Sequence, residues 1–323
     1  MPTYDKAVLS EQAHRLGFIT APFEKMTRLT EVLRFLNESD ELRESLALKG
    51  GTAINLTVFN LPRLSVDIDL DFTGNLTREE TRLIRDKISE LLELYMTAEG
   101  YRKHGQSKRT YTLDSFVYSY TNAAGNSDNI KVEINYSLRS HILPAVDMTA
   151  RASEVFAPFP VRILSPVEIF ASKIVALSTR AAARDLYDLN NMVYYGLFDE
   201  PDIIQLRKCA AFYMAVAGDI TSGGFSFEHV DGITPYKIRT SLRPMIRNKE
   251  RFDLQAARDR VFVFLSEWMT LTYKESTFLN SFAAGRYEPR LLFEDSAIIK
   301  RIENHPMALW RLQHIREGWE EKE

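Results

Sequence analysis

The chain has 323 residues, room for roughly two domains at ~150 residues each, and a core of that size needs no disulfide to hold it. Hydrophobic residues at 45% and charged residues at 26% exclude a disordered or membrane-embedded polypeptide. The net charge of −3 excludes a protein basic all over, so any contact with a polyanion must come from local clusters.

The N-terminal MPTYDKAVLSEQAHRLGF lacks the basic and apolar regions of a signal peptide, and no run of about 18 apolar residues marks a membrane span. Pro22 opens a helix carrying Phe23, Met26, Leu29, Val32, Leu33 and Leu36 at three- and four-residue spacing. The short apolar stretch Leu46-Ala47-Leu48 ends at Gly50-Gly51, and Thr52 to Phe59 reads as a helix stopped by Asn60 and Pro62. Val66 to Phe72 alternates and reads as a strand. Thr77 to Glu80 is a capping box opening a long amphipathic helix to about Thr97, with Leu83, Ile84, Ile88, Leu91, Leu92 and Tyr95 as its apolar stripe.

Two further strands, near Tyr111–Tyr120 and Ile130–Leu138, are joined as a hairpin by the loop Asn122–Asn129. Ser165-Pro166-Val167-Glu168 reads as a second capping box, with proline at the first helical position. From there helical patterns dominate, interrupted near Gly218–Pro235. The patterns divide into an α/β domain over residues 1–160 and a mostly helical domain over 161–323. Cys209, the single cysteine, lies in an apolar run and reads as a buried structural thiol, compatible with a reducing, cytoplasmic setting.

Chemistry concentrates in two places in the first domain. On a strand, Val66, Ile68, Leu70 and Phe72 point one way and Asp67, Asp69 and Asp71 the other, with like faces roughly 7 Å apart. Aspartates so placed repel unless a cation sits among them, and hard oxygens suit Mg2+ or Mn2+. Upstream, Lys49-Gly50-Gly51-Thr52 stands between a strand and a helix. Its glycines permit close backbone approach to a ligand, the helix N-terminus favours phosphate, and Thr52 offers a hydroxyl to cap the helix or to reach a phosphate oxygen. Each pattern alone also fits a plain turn or an acidic edge strand. Together they suit a nucleoside triphosphate (NTP) with its metal ions.

Gly50-Gly51-Thr52, fourteen residues, then Asp67-Ile68-Asp69 resembles the signature of the polymerase-beta-like nucleotidyltransferase superfamily. Within it, LKGGTAINL followed by PRLSVDIDLDF is similar to the AbiEii/AbiGii toxin family, Arg63 and Ser65 included. The resemblance implies an α+β fold: a nucleotidyltransferase domain with a mixed sheet flanked by helices, then a mostly helical domain. It implies Asp67, Asp69 and a third carboxylate, Glu133 on Lys131–Tyr136, as metal ligands, with Asp71 as the competitor for that third place. Lys49, Gly50, Gly51, Thr52, Arg63 and Ser65 would contact nucleotide. The stretch from Ala171 to Leu189 resembles the family's downstream Lys and Arg-Asp-x-x-Asp motifs. By that resemblance Lys173 contacts the triphosphate, and Asp185 and Asp188 complete the catalytic set with Asp67 and Asp69.

The acceptor implied is the 3′ end of tRNA, as for MenT-like tRNA-modifying toxins, which would block translation, and a cognate antitoxin is the implied protein partner. Two basic clusters could track a phosphate backbone: Arg102, Lys103, His104, Lys108 and Arg109 in one loop, and Lys237, Arg239, Arg243, Arg247, Lys249 and Arg251 beside Tyr236 and Phe252. Trp268, Trp310 and Trp319 lie in helical patterns and read as packing or partner contacts. The six histidines show no metal-ligand spacing, which argues against zinc. A nucleotidyltransferase acting on protein or a small molecule, and a non-catalytic toxin–antitoxin or regulatory binding protein, are the alternatives.

Overall fold

A computed structural model describes residues 4–74, 76–152, 154–217 and 224–317; Trp319 and residues 218–223, where the expected break begins, lie outside them. The chain forms two units. The first comprises Met1–Arg139, Ala145–Leu164 and Arg243–Glu250, the second Ser140–Pro144, Ser165–Leu242 and Arg251–Glu323. Each is interrupted in sequence, a feature that periodicity along the chain does not register.

In the first unit the helices are α1 (Lys6–Leu16), α2 (Thr20–Glu38), α3 (Asp40–Ser45), α4 (Gly50–Ala53) and α5 (Arg78–Ala98). The strands are β1 (Leu46–Lys49), β2 (Asp67–Phe72), β3 (Arg102–Lys103), β4 (Lys108–Arg109), β5 (Leu113–Thr121), β6 (Ser127–Asn135), β7 (Val146–Ala150) and β8 (Phe159–Ile163). They make one mixed sheet in the order β3-β5-β6-β2-β1-β8-β7, with β4 also on β5. The pairs β2/β6 and β1/β8 are parallel and the others antiparallel. The mixed α+β fold is the one the sequence implied.

Alternation explains the packing. Ile68, Leu70 and Phe72 of β2 and Ile130, Val132 and Ile134 of β6 are buried. The stripe Phe23, Met26, Leu29 and Leu33 of α2 is buried as well, and α2 packs on β2 and β6. α2 and α5 are joined by the stacked rings of Phe35 and Tyr95, 4.0 Å apart. The Thr77/Glu80 capping box forms with both reciprocal hydrogen bonds. α5 is also pinned to β5 by Arg85, whose Nε and Nη2 grip both oxygens of the fully buried Asp114 at 2.9 and 2.6 Å. Pro22 sits in the first turn of α2 rather than at its start, where its missing N–H leaves no bond unmade. After Ala53 the expected helix continues as a π-helical turn, Ile54–Val58.

The second unit is helical: α6 (Pro166–Thr179), α7 (Ala183–Tyr194), α8 (Glu200–Ala217), α9 (Pro235–Lys237), α10 (Leu254–Trp268), α11 (Tyr273–Ala283), α12 (Ser296–Ile302) and α13 (Pro306–Glu317). No described helix is long and apolar enough to cross a membrane. Cys209 is buried in α8, and burial pushes its thiol well up, as expected of an inert structural cysteine.

The second capping box does not form. Ser165 makes no side-chain cap, and Glu168 turns inward. Its carboxylate accepts hydrogen bonds from the backbone N–H groups of Ile142 and Leu143 at 3.0 and 3.1 Å and from the Tyr213 hydroxyl, with His141 Nδ1 3.5 Å away. Burial raises the Glu168 carboxyl, but His141, Tyr213 and the Ile142 N–H outweigh it, so the net shift is downward. Glu168→Leu is expected to destabilise the protein by about 2–5 kcal/mol, because it orphans the buried Ile142 N–H, the part-buried Leu143 N–H and the Tyr213 hydroxyl, and a urea denaturation midpoint checks this. With its folded pKa depressed, the Glu168 contribution is present above the unfolded value of about 4.3 and is lost as pH falls through the folded one.

Candidate active site

The glycine turn and the aspartate strand face each other across one strand pairing. β1 runs antiparallel to β2 with Lys49 opposite Asp69, so the chain leaves β1 into Gly50 beside the Asp69 side chain. Gly50 has φ +70°, the left-handed region that favours glycine, and a Cβ there would stand 2.8 Å from Asp69 Oδ2. A Cβ on Gly51 would stand 2.5 Å from Arg63 Nη2 and 3.1 Å from Ser65 Oγ. The two glycines therefore accommodate the protein's own site groups at close range.

One expectation is corrected: Thr52 is not the helix cap, since Lys49 is the N-cap and buried Thr52 donates its hydroxyl to the Asp67 carbonyl at 2.5 Å. Arg63 is buried behind Gly51 and donates through Nη1 to the Leu64 carbonyl at 2.9 Å, so it supports the turn from within. Ser65 is buried beside it. All three are buried, and Thr52 ties the turn to β2. Thr52→Val is expected to cost about 1 kcal/mol and to loosen Asp67, while Thr52→Ser retains the bond; the paired melting temperatures check it.

The carboxylates divide by environment. Asp67 and Asp69 are half-buried on one face of β2. Asp71, on that face too, is buried and ion-paired with Lys49 at 2.5 Å. In the parallel register with β6, Asp67 lies opposite Lys131 and Asp69 opposite Glu133. Glu133 Oε2 is 2.9 Å from Lys131 Nζ and remains partly exposed. Glu133 is therefore the accessible neighbour of the pair, whereas Asp71 is closed off by Lys49. Burial raises the Asp69 carboxyl, and the charges of Asp67 and Glu133 raise it further against the opposing effect of Lys49.

Among the described residues no three His, Cys, Asp or Glu side chains form a ready-made metal cage. Magnesium does not require one, since it is commonly held by one or two carboxylates with phosphate oxygens and water. Two hard carboxylates on one strand face beside a glycine turn, with the Asp69 carboxyl raised by burial, fit such an ion.

Lys173, Asp185 and Asp188 belong to the second unit. Ala181, at φ +46°, makes the tight turn between α6 and α7. Lys173 Nζ lies 2.8 Å from both Asp185 Oδ1 and Asp188 Oδ2, and Arg180 adds contacts to Asp185 Oδ2 at 3.1 and 3.2 Å. Lys173, Asp185 and Asp188 are buried, whereas Arg180 is exposed. The aspartates orient the ammonium group, a role that spacing alone could not assign.

Of the basic residues, Arg243 donates to the carbonyls of Asn248 and Glu250, and Arg247 to that of Leu16, so both are structural. Lys103 pairs with Glu93 and Arg109 with Asp86, each at 2.6 Å. Trp268 is half-buried and Trp310 exposed.

A mixed sheet in which a glycine turn abuts an Asp-x-Asp strand is the framework of a nucleotidyltransferase. A family model described as "Nucleotidyl transferase AbiEii toxin, Type IV TA system" matches residues 34–275. The chain belongs to that family, the toxin nucleotidyltransferases of AbiEii type. Among solved structures it is similar to MenT4, the nucleotidyltransferase toxin Rv2826c from Mycobacterium tuberculosis H37Rv. That similarity has a TM-score of 0.61 and 18% identity, covers 94% of this chain and 98% of that one, and bears on the fold. A comparison with curated proteins returns no match.

Proposed function

We propose that the protein transfers a nucleoside monophosphate from an NTP to the 3′-terminal hydroxyl of tRNA, and that this blocks translation. The observation that carries the reading is the apposition of Gly50 to Asp69, with Asp67 on the same face and Glu133 in register. Asp67 and Asp69 would hold Mg2+ or Mn2+, with Glu133 as the third carboxylate. The bound cation would offset the triphosphate charge that these acids would otherwise repel.

The acceptor hydroxyl oxygen forms a bond to the α-phosphorus, the bond from that phosphorus to the bridging oxygen breaks, and pyrophosphate leaves. Glu133 is assigned to take the hydroxyl proton. Gly50 and Gly51 let Asp69 and Arg63 close on the turn, whose backbone would meet the triphosphate, and Lys49 would lend its charge at the edge of the turn. On the family resemblance, Lys173 serves the same reaction through an ammonium fixed by Asp185 and Asp188. A tRNA extended at its 3′ end no longer offers the hydroxyl that carries the amino acid. The family's description as a toxin–antitoxin system supports an antitoxin partner.

The acceptor is tested by incubating the protein with labelled triphosphates, purified tRNA and total cell protein. Label that RNase releases and protease leaves supports tRNA. Label that only protease releases would move the acceptor to protein.

A further inference from the structure

Strand register divides the first basic cluster between two faces of the sheet. Residues directly opposite each other on paired strands share a face. From Asp69 the row runs to Glu133 on β6, Ser115 on β5 and Lys108 on β4. A second row on that face runs from Asn129 on β6 to Ser119 on β5 and Arg102 on β3. Lys103 lies opposite Tyr118 and Arg109 opposite Asp114, on the other face, where α5 provides Glu93 and Asp86 as their partners.

The carboxylate face beyond β2 is mostly polar and partly open, with Val117, opposite Lys131, its one buried apolar residue on β5 between Ser115 and Ser119. Ser115, Ser119, Lys131 and Glu133 are partly exposed and Asn129 fully so, whereas Phe116, Tyr118, Ile130 and Val132 on the other face are buried. Arg102 and Lys108 are exposed, and among the described residues neither forms an ion pair. With strands ~4.8 Å apart, Lys108 stands roughly 14 Å from Asp69 across the sheet, and Arg102 is displaced roughly 13 Å along the strand direction. Ser115 and Ser119, flanking the low side chain of Val117, lie between two unengaged cations and the Asp67/Asp69 carboxylates and make a shelf of the right charge for a phosphate backbone.

We propose that this shelf binds the backbone of the acceptor RNA a few nucleotides from its reacting end, with Arg102 and Lys108 on phosphates and Ser115 and Ser119 between them. The proposal rests on the nucleotidyltransferase reading with an RNA acceptor and names where that acceptor lies on the first unit. A strand held there presents its terminus toward Asp67 and Asp69. Lys103 and Arg109, engaged on the other face, take no part.

The test compares two charge-matched double variants of the full-length protein, Arg102→Ala/Lys108→Ala and Lys103→Ala/Arg109→Ala. Binding to purified tRNA is measured without NTP at several salt concentrations, and a heat-shift measurement with Mn2+ and NTP confirms that nucleotide binding is retained. The first variant should bind tRNA about 10-fold more weakly, with the slope of log affinity against log salt shallower by about 1.5, while the second keeps the wild-type slope. Equal losses in both variants, or none in either, would overturn the shelf. Wild-type protein that binds no RNA overturns the shelf and the RNA acceptor together. Transfer to protein alone, with the variant-specific loss of RNA binding intact, overturns only the acceptor. Reduced protein labelling in the first variant with unchanged RNA binding would give the surface to an acidic protein instead.

Discussion

Asp69→Asn protein is expected to lose nucleotide transfer by about 10³-fold or more while its metal-free form becomes no less stable than wild type. On the proposed reading the loss follows from removing one of the carboxylates that would hold a cation worth several kcal/mol in the transition state, at 1.36 kcal/mol per decade of rate. The stability follows from burial and then repulsion: burial raises the Asp69 carboxyl, and the charges of Asp67 and Glu133 add to it. A raised folded pKa means that the favourable contribution is full below the unfolded value of about 3.9 and is lost as pH rises through the folded one. At neutral pH the ionised Asp69 is therefore a burden on the metal-free fold, and asparagine relieves it. Melting temperatures in chelator across pH 4–8 read this directly. A variant less stable than wild type over the upper half of that range would count against both causes.

Gly50→Ala and Gly51→Ala are expected to fail in different ways. At Gly50 the left-handed backbone costs alanine about 1–2 kcal/mol. Its Cβ would meet Asp69 Oδ2 at 2.8 Å, the free end of a side chain that can swing away. The fold survives that movement, but the carboxylate leaves its place, and a displacement of about 1 Å near reacting groups costs on the order of 10²-fold in rate. At Gly51 the Cβ would meet Arg63 Nη2 at 2.5 Å, and Arg63 is buried with no room to retreat. Overpacking there should cost about 1–3 kcal/mol. Parallel melting and transfer assays separate the two, with Gly50→Ala the more damaging to rate and Gly51→Ala to stability. The reverse order would mean that Gly50 does not serve Asp69.

What could be read beforehand was local. The Thr77/Glu80 cap closes within one turn, the Asp67–Asp71 alternation lies within one strand, and the expected hairpin joins neighbours, though its turn is 122–126 because Ser127–Asn129 already pair in β6, so sequence proximity carried each. What misled was a residue whose partner lies far along the chain. Glu168 has the spacing of a capping box, yet Ile142, Leu143 and Tyr213 claim it. Thr52 has the position of a cap, yet the Asp67 carbonyl fifteen residues on takes its hydroxyl. Arg102 to Arg109 read as one basic loop because two-residue strands give no periodicity. Only pairing with β5 separates Arg102 and Lys108 from Lys103 and Arg109. The choice between Glu133 and Asp71 likewise turned on tertiary structure, through the Lys49–Asp71 ion pair.

The most direct measurement is transfer of label from each of the four NTPs to purified tRNA, with Mg2+ or with chelator, by wild-type and Asp69→Asn protein of matched folding. The account predicts labelled tRNA with wild type and Mg2+ for at least one triphosphate, and none with chelator or with Asp69→Asn. Equal labelling by Asp69→Asn, or labelling indifferent to chelator, would contradict it.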